Sequence, residues 1–155
     1  MKQVLIVYHS QEKGNTRKMA DLVAEGCRKV PGVQVEMFNV NQTRLDAAAV
    51  EKADGLALGS PDYFSYVAGC LKQFFDDLKL AEWAGRKVTG KPYVAFITHG
   101  GGGKAVESID KLAASCKLVK AADTVACRNY PQEEAAVAKA VALGEALARR
   151  VLEAK

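Results

Sequence analysis

Ser10, Gly14, Asn15 and Thr16 stand close together between an apolar run, Val4 to Tyr8, and a stretch of helical periodicity that begins near Asn15. The chemistry open to such a group is anion binding. A helix N-terminus leaves backbone N–H groups unpaired and carries partial positive charge, so an anion placed there gathers several hydrogen bonds at once. Ser10 and Thr16 add hydroxyl donors, Gly14 lets the backbone turn close to the ligand, and Asn15 serves as N-cap and side-chain donor. Glu12 and Lys13 lie in the same loop. A phosphate is the expected occupant.

Two further loops carry chemistry. Ser60 to Tyr66 contains Pro61, Asp62, Tyr63, Phe64 and Tyr66; clustered aromatics suit a flat conjugated ring, and a tight turn at Ser60-Pro61-Asp62 pushes at least one of them outward. Thr98, His99, Gly100, Gly101, Gly102 and Gly103 present successive backbone N–H groups with few side chains, so a flat polar edge can approach closely. His9 and His99 occupy two of these loops, and their near-neutral intrinsic pKa makes them candidate proton relays.

Other readings fail on particular residues. Gly100-x-Gly102-x-x-Ala105 is formally a dinucleotide fingerprint, yet only one more strand follows it, too little for a second half of such a fold. A P-loop requires Lys after its last Gly, where Gly14 is followed by Asn15. Cys27, Cys70, Cys116 and Cys127 show neither C-x-x-C nor metal-ligand spacing, so buried free thiols and no metal are expected.

The elements that must position these loops follow from hydrophobic patterning. Val4 to Tyr8, Leu56 to Leu58 and Tyr93 to Ile97 are apolar at successive positions, as in parallel strands covered on both faces. Val33 to Phe38 alternates, which predicts a strand at a sheet edge. Leu118 to Cys127 contains a last strand, bent near Ala121-Ala122. Helices are predicted from Asn15 to Lys29, Asp46 to Ala53, around Val67 to Leu78, around Val106 to Ala113, and from Gln132 to Glu153. This alternation predicts a doubly wound α/β fold, a five-stranded parallel sheet with helices on both faces, whose ligand site lies beyond the carboxyl ends of the strands.

The 155 residues fit one domain, 1–155. Half are hydrophobic, and no apolar run approaches the ~20 residues of a membrane span. The formal charge of +4 is spread along helices and forms no basic stripe, so the expectation is a cytoplasmic protein with neither nucleic acid nor membrane as partner.

Tyr8-His9-Ser10 followed by Gly14-Asn15-Thr16, together with Gly59-Ser60-Pro61-Asp62-Tyr63-Phe64 and Thr98-His99-Gly100-Gly101-Gly102, resembles the flavodoxin family and its FMN-dependent reductase relatives over the whole chain. The resemblance implies strand order 2-1-3-4-5 with FMN at the switch point. It implies that Ser10, Glu12, Lys13, Gly14, Asn15 and Thr16 surround the 5′-phosphate. Tyr63 or Phe64 then lies against the isoalloxazine face, and the Thr98 to Gly103 loop holds the pyrimidine edge at N1 and O2.

Two features depart from the carriers of that family, which are acidic and commonly place a glycine in the second loop; here the chain is net positive and residues 60–66 lack glycine. Against the quinone-reducing relatives, the connections are too short for the insertions that build a substrate pocket. The resulting expectation is an FMN-binding protein that carries electrons between a reduced donor and an acceptor protein or small molecule. The alternatives are an NAD(P)H-dependent FMN reductase or quinone oxidoreductase of the same fold, and a non-catalytic scaffold.

Overall fold

The computed structural model describes residues 1–11 and 14–153. In chain order the elements are β1 (Lys2–Tyr8), α1 (Asn15–Arg28), β2 (Val33–Asn39), α2 (Ala47–Lys52), β3 (Gly55–Tyr63), β4 (Tyr66–Val67), α3 (Gly69–Trp83), β5 (Pro92–His99), α4 (Ala105–Ser115), β6 (Val119–Lys120), β7 (Val125–Arg128) and α5 (Glu134–Glu153). The sheet runs β2-β1-β3-β5-β6, with β7 also paired to β5 and β4 paired antiparallel to β3. β6 joins the start of β5 at Pro92 and Tyr93, and β7 joins its end from Phe96 to His99. The two are halves of one interrupted last strand, so the sheet keeps the order 2-1-3-4-5 across five positions.

Alternation along the buried strands divides the core. Leu5, Val7, Leu56, Leu58, Ala95 and Ile97 face one layer with Leu71, Phe75, Leu78 and Ile109 of α3 and α4. Val4, Ile6, Ala57, Val94 and Phe96 face the other, with Met19, Val23 and Cys27 of α1 and Leu143, Leu147 and Val151 of α5. Such continuous apolar strands need helices on both faces. β2 lies at the edge, where Gln34 and Glu36 are exposed.

α1 and α5 meet at their backbones. A Cβ on Gly26 would fall 1.9 Å from the Val141 carbonyl oxygen, and one on Gly144 would fall 1.9 Å from that of Val23. The Cys27 thiol donates to the Gly144 carbonyl at 3.3 Å, and burial pushes its pKa up to about 12, which leaves it a protonated packing group. Cys116 is buried as well, whereas Cys70 and Cys127 are half-buried, against the expectation of four buried thiols. Cys70 stands in the first turn of α3 and Cys127 near the end of β7, so each packs against the margin of its core layer and keeps part of its surface open.

The second loop is a hairpin. β3 continues to Tyr63, pairs Asp62 with Val67 and Tyr63 with Tyr66, and turns through Phe64 and Ser65 at φ 56° and 62°. Positive φ at both central residues is the requirement of a type I′ turn, ordinarily met by Asn-Gly. Val67, expected on a helix face, therefore belongs to β4 and buries itself there. Residues 60–66 reach left-handed backbone without any glycine, and the flanking ladder holds them in it.

Gly144→Ala is expected to lower stability by about 1–3 kcal/mol through forced separation of α1 and α5, read as a lower denaturant midpoint; an unchanged midpoint would show the crossing to be looser than described. The double substitution Phe64→Asn with Ser65→Gly is expected to raise stability by about 1–2 kcal/mol by relieving left-handed strain, measured the same way.

Candidate functional site

The first loop is fastened from the neighbouring strand. Asn39 brackets the Ser10 peptide: its Oδ1 accepts the Ser10 N–H at 3.1 Å and its Nδ2 donates to the Ser10 carbonyl at 3.2 Å. Asn41 Nδ2 donates to that carbonyl as well, at 3.1 Å. Gly14, at φ 66°, then turns the chain into α1. Here the structure corrects the sequence reading, because the N-cap of α1 is Gly14 and Asn15 is the first helical residue. The N–H of Arg17, the third helical residue, which a capping side chain would normally take, bonds instead to Ser10 Oγ at 3.2 Å across the loop. Glu12 and Lys13 lie outside the described residues.

Thr16 is buried, and its hydroxyl lies 2.8 Å from that of Thr98 at the end of β5. One hydroxyl hydrogen serves that bond, so the pair keeps one for a ligand. The contact locks the start of α1 to the third loop. Asn15 and Thr16 precede the first intrahelical bond, from the Lys18 N–H to the Gly14 carbonyl, and such first-turn N–H groups are anion donors.

A cavity of about 630 Å³ opens over these groups, a size usual for small-molecule sites. Ser10, Gly14, Asn15, Thr16, Pro61, Asp62, Tyr63, Thr98, His99 and Gly100 line it, so three loops named from the sequence converge. Phe64 projects fully exposed from the hairpin turn, outside this lining, and Gly101, Gly102 and Gly103 lead away from it to α4. Asp62 accepts the Ala105 N–H at 3.4 Å, at the start of α4. Ser60 is internal: its hydroxyl accepts the Ala68 N–H and donates to the Pro61 carbonyl.

Gln11, Asn41 and Asn129 also line the cavity and were missed. Asn129 sits at φ 59° with its N–H on the His99 carbonyl at 2.7 Å. A signal for them existed, since in a doubly wound sheet every strand-to-helix loop opens at the same end, and polar clusters follow strands two and five. Cavity-lining Tyr63 has its phenol pKa raised by burial and stays neutral. His9 lies under it, 4% exposed, with its pKa lowered by burial.

The arrangement fits a phosphorylated flavin. First-turn amides and a spare hydroxyl hydrogen stand at one end of the cavity, an aromatic wall and a polar glycine-flanked edge at the other. No group of His, Cys, Asp or Glu among the described residues could hold a metal ion.

Comparison with known proteins agrees. A family model described as NADPH-dependent FMN reductase matches residues 43–132. A flavodoxin from Aquifex aeolicus (strain VF5) is 41% identical over 103 residues, which is 66% of this chain and 53% of that protein, so the chain spans about half the length of this relative. The flavodiiron protein from Giardia intestinalis superposes with TM-score 0.83 at 21% identity, over 99% of this chain and 37% of the other. A flavodoxin from the domain Archaea superposes with TM-score 0.82 at 20% identity, over 97% and 99%. With the first loop, the aromatic hairpin and the start of the glycine loop assembled around one cavity, the chain belongs to the flavodoxin-like, FMN-binding family.

Proposed function

We propose that this protein carries electrons between a reduced donor and an acceptor protein or small molecule, with FMN in the cavity. The bound cofactor supplies the redox chemistry, while the chain fixes its phosphate, orients its ring and sets its electrostatic surroundings. Ser10, Asn15 and Thr16, with Glu12 and Lys13, hold the phosphate in this reading. Pro61, Asp62 and Tyr63 attend the ring, and Thr98, His99 and Gly100 its polar edge, while Phe64 and Gly101 to Gly103 stand outside the lining.

The observation that carries the proposal is where the charge lies. Lys29, Lys52, Arg86, Lys87, Lys91 and Lys117 stand in last helical turns or in helix-to-strand loops, at the sheet end opposite the cavity. Cations at helix C-termini answer the helix dipole, a folding role. Around the cavity, Arg17, Lys18, Lys104 and Arg128 are offset by Asp62, Glu107, Glu133 and Glu134. The net charge of +4 therefore says little about what docks at the cofactor. Short strand-to-helix loops likewise favour a carrier over an enzyme with its own nicotinamide pocket.

The NAD(P)H-dependent FMN reductase or quinone oxidoreductase remains the second reading, favoured by the description of the matching family model. No helix among the described residues is long and apolar enough to cross a membrane, and we place the carrier in the cytoplasm with no nucleic-acid or membrane partner.

Anaerobic mixing of the FMN-loaded protein with NADH or NADPH and a quinone separates the readings. The carrier is expected to show no steady nucleotide oxidation while dithionite reduces it fully; sustained turnover would establish the reductase. Thr16→Val is expected to weaken FMN binding about 10- to 100-fold, the worth of a hydrogen bond to a charged group, followed by quenching of flavin fluorescence. Unchanged affinity would remove Thr16 from the phosphate site.

A further inference from the structure

Among the described residues, His9 alone has both ring nitrogens buried without a hydrogen-bond partner. A neutral imidazole carries one N–H and one lone pair, and leaving both unpaired in the interior is costly. An apolar side chain would fill the same space without that cost. The fold nonetheless seats the ring firmly. The His9 N–H bonds to the Gly59 carbonyl at 3.0 Å, fixing it beside β3, and its ring meets Tyr63 edge-on, with centroids 6.0 Å apart and planes at 85°. Tyr63 and the next residue, Ser10, both line the cavity. The imidazole thus lies one side chain behind the wall of the FMN site.

Among the described residues, no side chain forms a hydrogen bond or ion pair with the ring. The titratable groups on the elements around it include, among the described residues, Tyr63, a neutral phenol; Asp62, a carboxylate that accepts the Ala105 N–H; Cys70 on α3, whose thiol donates to Asn41 Oδ1; His99 at the end of β5; and Arg17 of α1, paired with Asp21. Burial is the cause that lowers the His9 pKa. A further negative charge arriving in the cavity would add to that of Asp62, and low dielectric would make it strongly felt.

We propose that His9 is a proton acceptor coupled to reduction of the bound FMN. It is neutral beside the oxidised cofactor. With two electrons and one proton taken up by the bound cofactor, the site would keep one net negative charge; His9 would then bind a second proton from water at its lone-pair nitrogen, forming an N–H bond and restoring neutrality. Atoms and charge balance as two electrons and two protons taken up, with no bond in the chain broken. The inference rests on FMN occupying the cavity.

The test uses the FMN-loaded protein, reduced anaerobically with dithionite, in wild type, His9→Phe and His9→Asn. Nitrogen NMR of labelled histidine should show the His9 ring neutral in the oxidised protein and doubly protonated in the reduced one near pH 7. The two-electron midpoint potential of wild type should fall twice as steeply with pH below the reduced-state pKa as above it, and both substitutions should remove or displace that break. Affinity for oxidised FMN should change by no more than about threefold. A neutral His9 ring in the reduced protein, or an identical break in His9→Phe, overturns the inference and leaves FMN binding intact; a wild-type chain that takes up no FMN overturns the reading of the cavity itself.

The cofactor-free protein gives an independent check. With the folded-state pKa held below 6.5, the unfolded chain binds the proton first, so stability falls as pH drops through and below 6.5. His9→Phe should flatten that acid loss, measured as the thermal midpoint against pH. An acid limb unaltered by the substitution would mean that His9 is not held neutral in the fold, which overturns the inference.

Discussion

Everything at the functional end of this molecule depends on one directional constraint: with its principal strands parallel, each crossover helix must run back against them. All helix N-termini therefore collect at the carboxyl ends of the strands, and the C-termini collect at the other end. Unpaired amides and partial positive charge accumulate where the cavity lies, while carbonyls accumulate where Lys52, Lys87 and Lys117 stand. Site and charge pattern are two results of the same polarity.

Within that frame, long-range side-chain bonds decide the details. Thr16 and Thr98 are joined across 82 positions of sequence by a single hydroxyl contact, and Ser10 is held through Asn39 and Asn41 from a different strand. The two ends of the first loop, Ser10 and Thr16, are thus held from other parts of the chain, which reduces the ordering that binding there must cost.

These same bonds mark how much could be read from residues alone. The strands, their order of burial and three cavity loops were legible because apolar runs and glycine clusters are local signals, and the fold they imply matches the one observed. The cap of α1 was misassigned because Ser10, distant along the loop, supplies the acceptor that a neighbouring Asn15 would normally provide. The β3–β4 hairpin was invisible because its turn adopts left-handed backbone with Phe64 and Ser65 in place of the residues that advertise it. Asn41 and Asn129 have a different reason: their signal lies in the position of their loops after strands two and five and in no motif of their own.

The backbone contact between α1 and α5 has a consequence for the order in which the molecule can assemble during synthesis. α1, whose first turn lines the cavity, packs its Val23–Gly26–Cys27 surface on a helix that is the last element described. Until that helix leaves the ribosome, α1 alone covers its face of β1 and β3, and its Val23–Gly26–Cys27 surface has no partner helix. The earliest loop along the chain to be made is consequently among the last parts of the site to become rigid, and chaperone exposure falls on the half of the protein that already contains the residues meant for the cofactor.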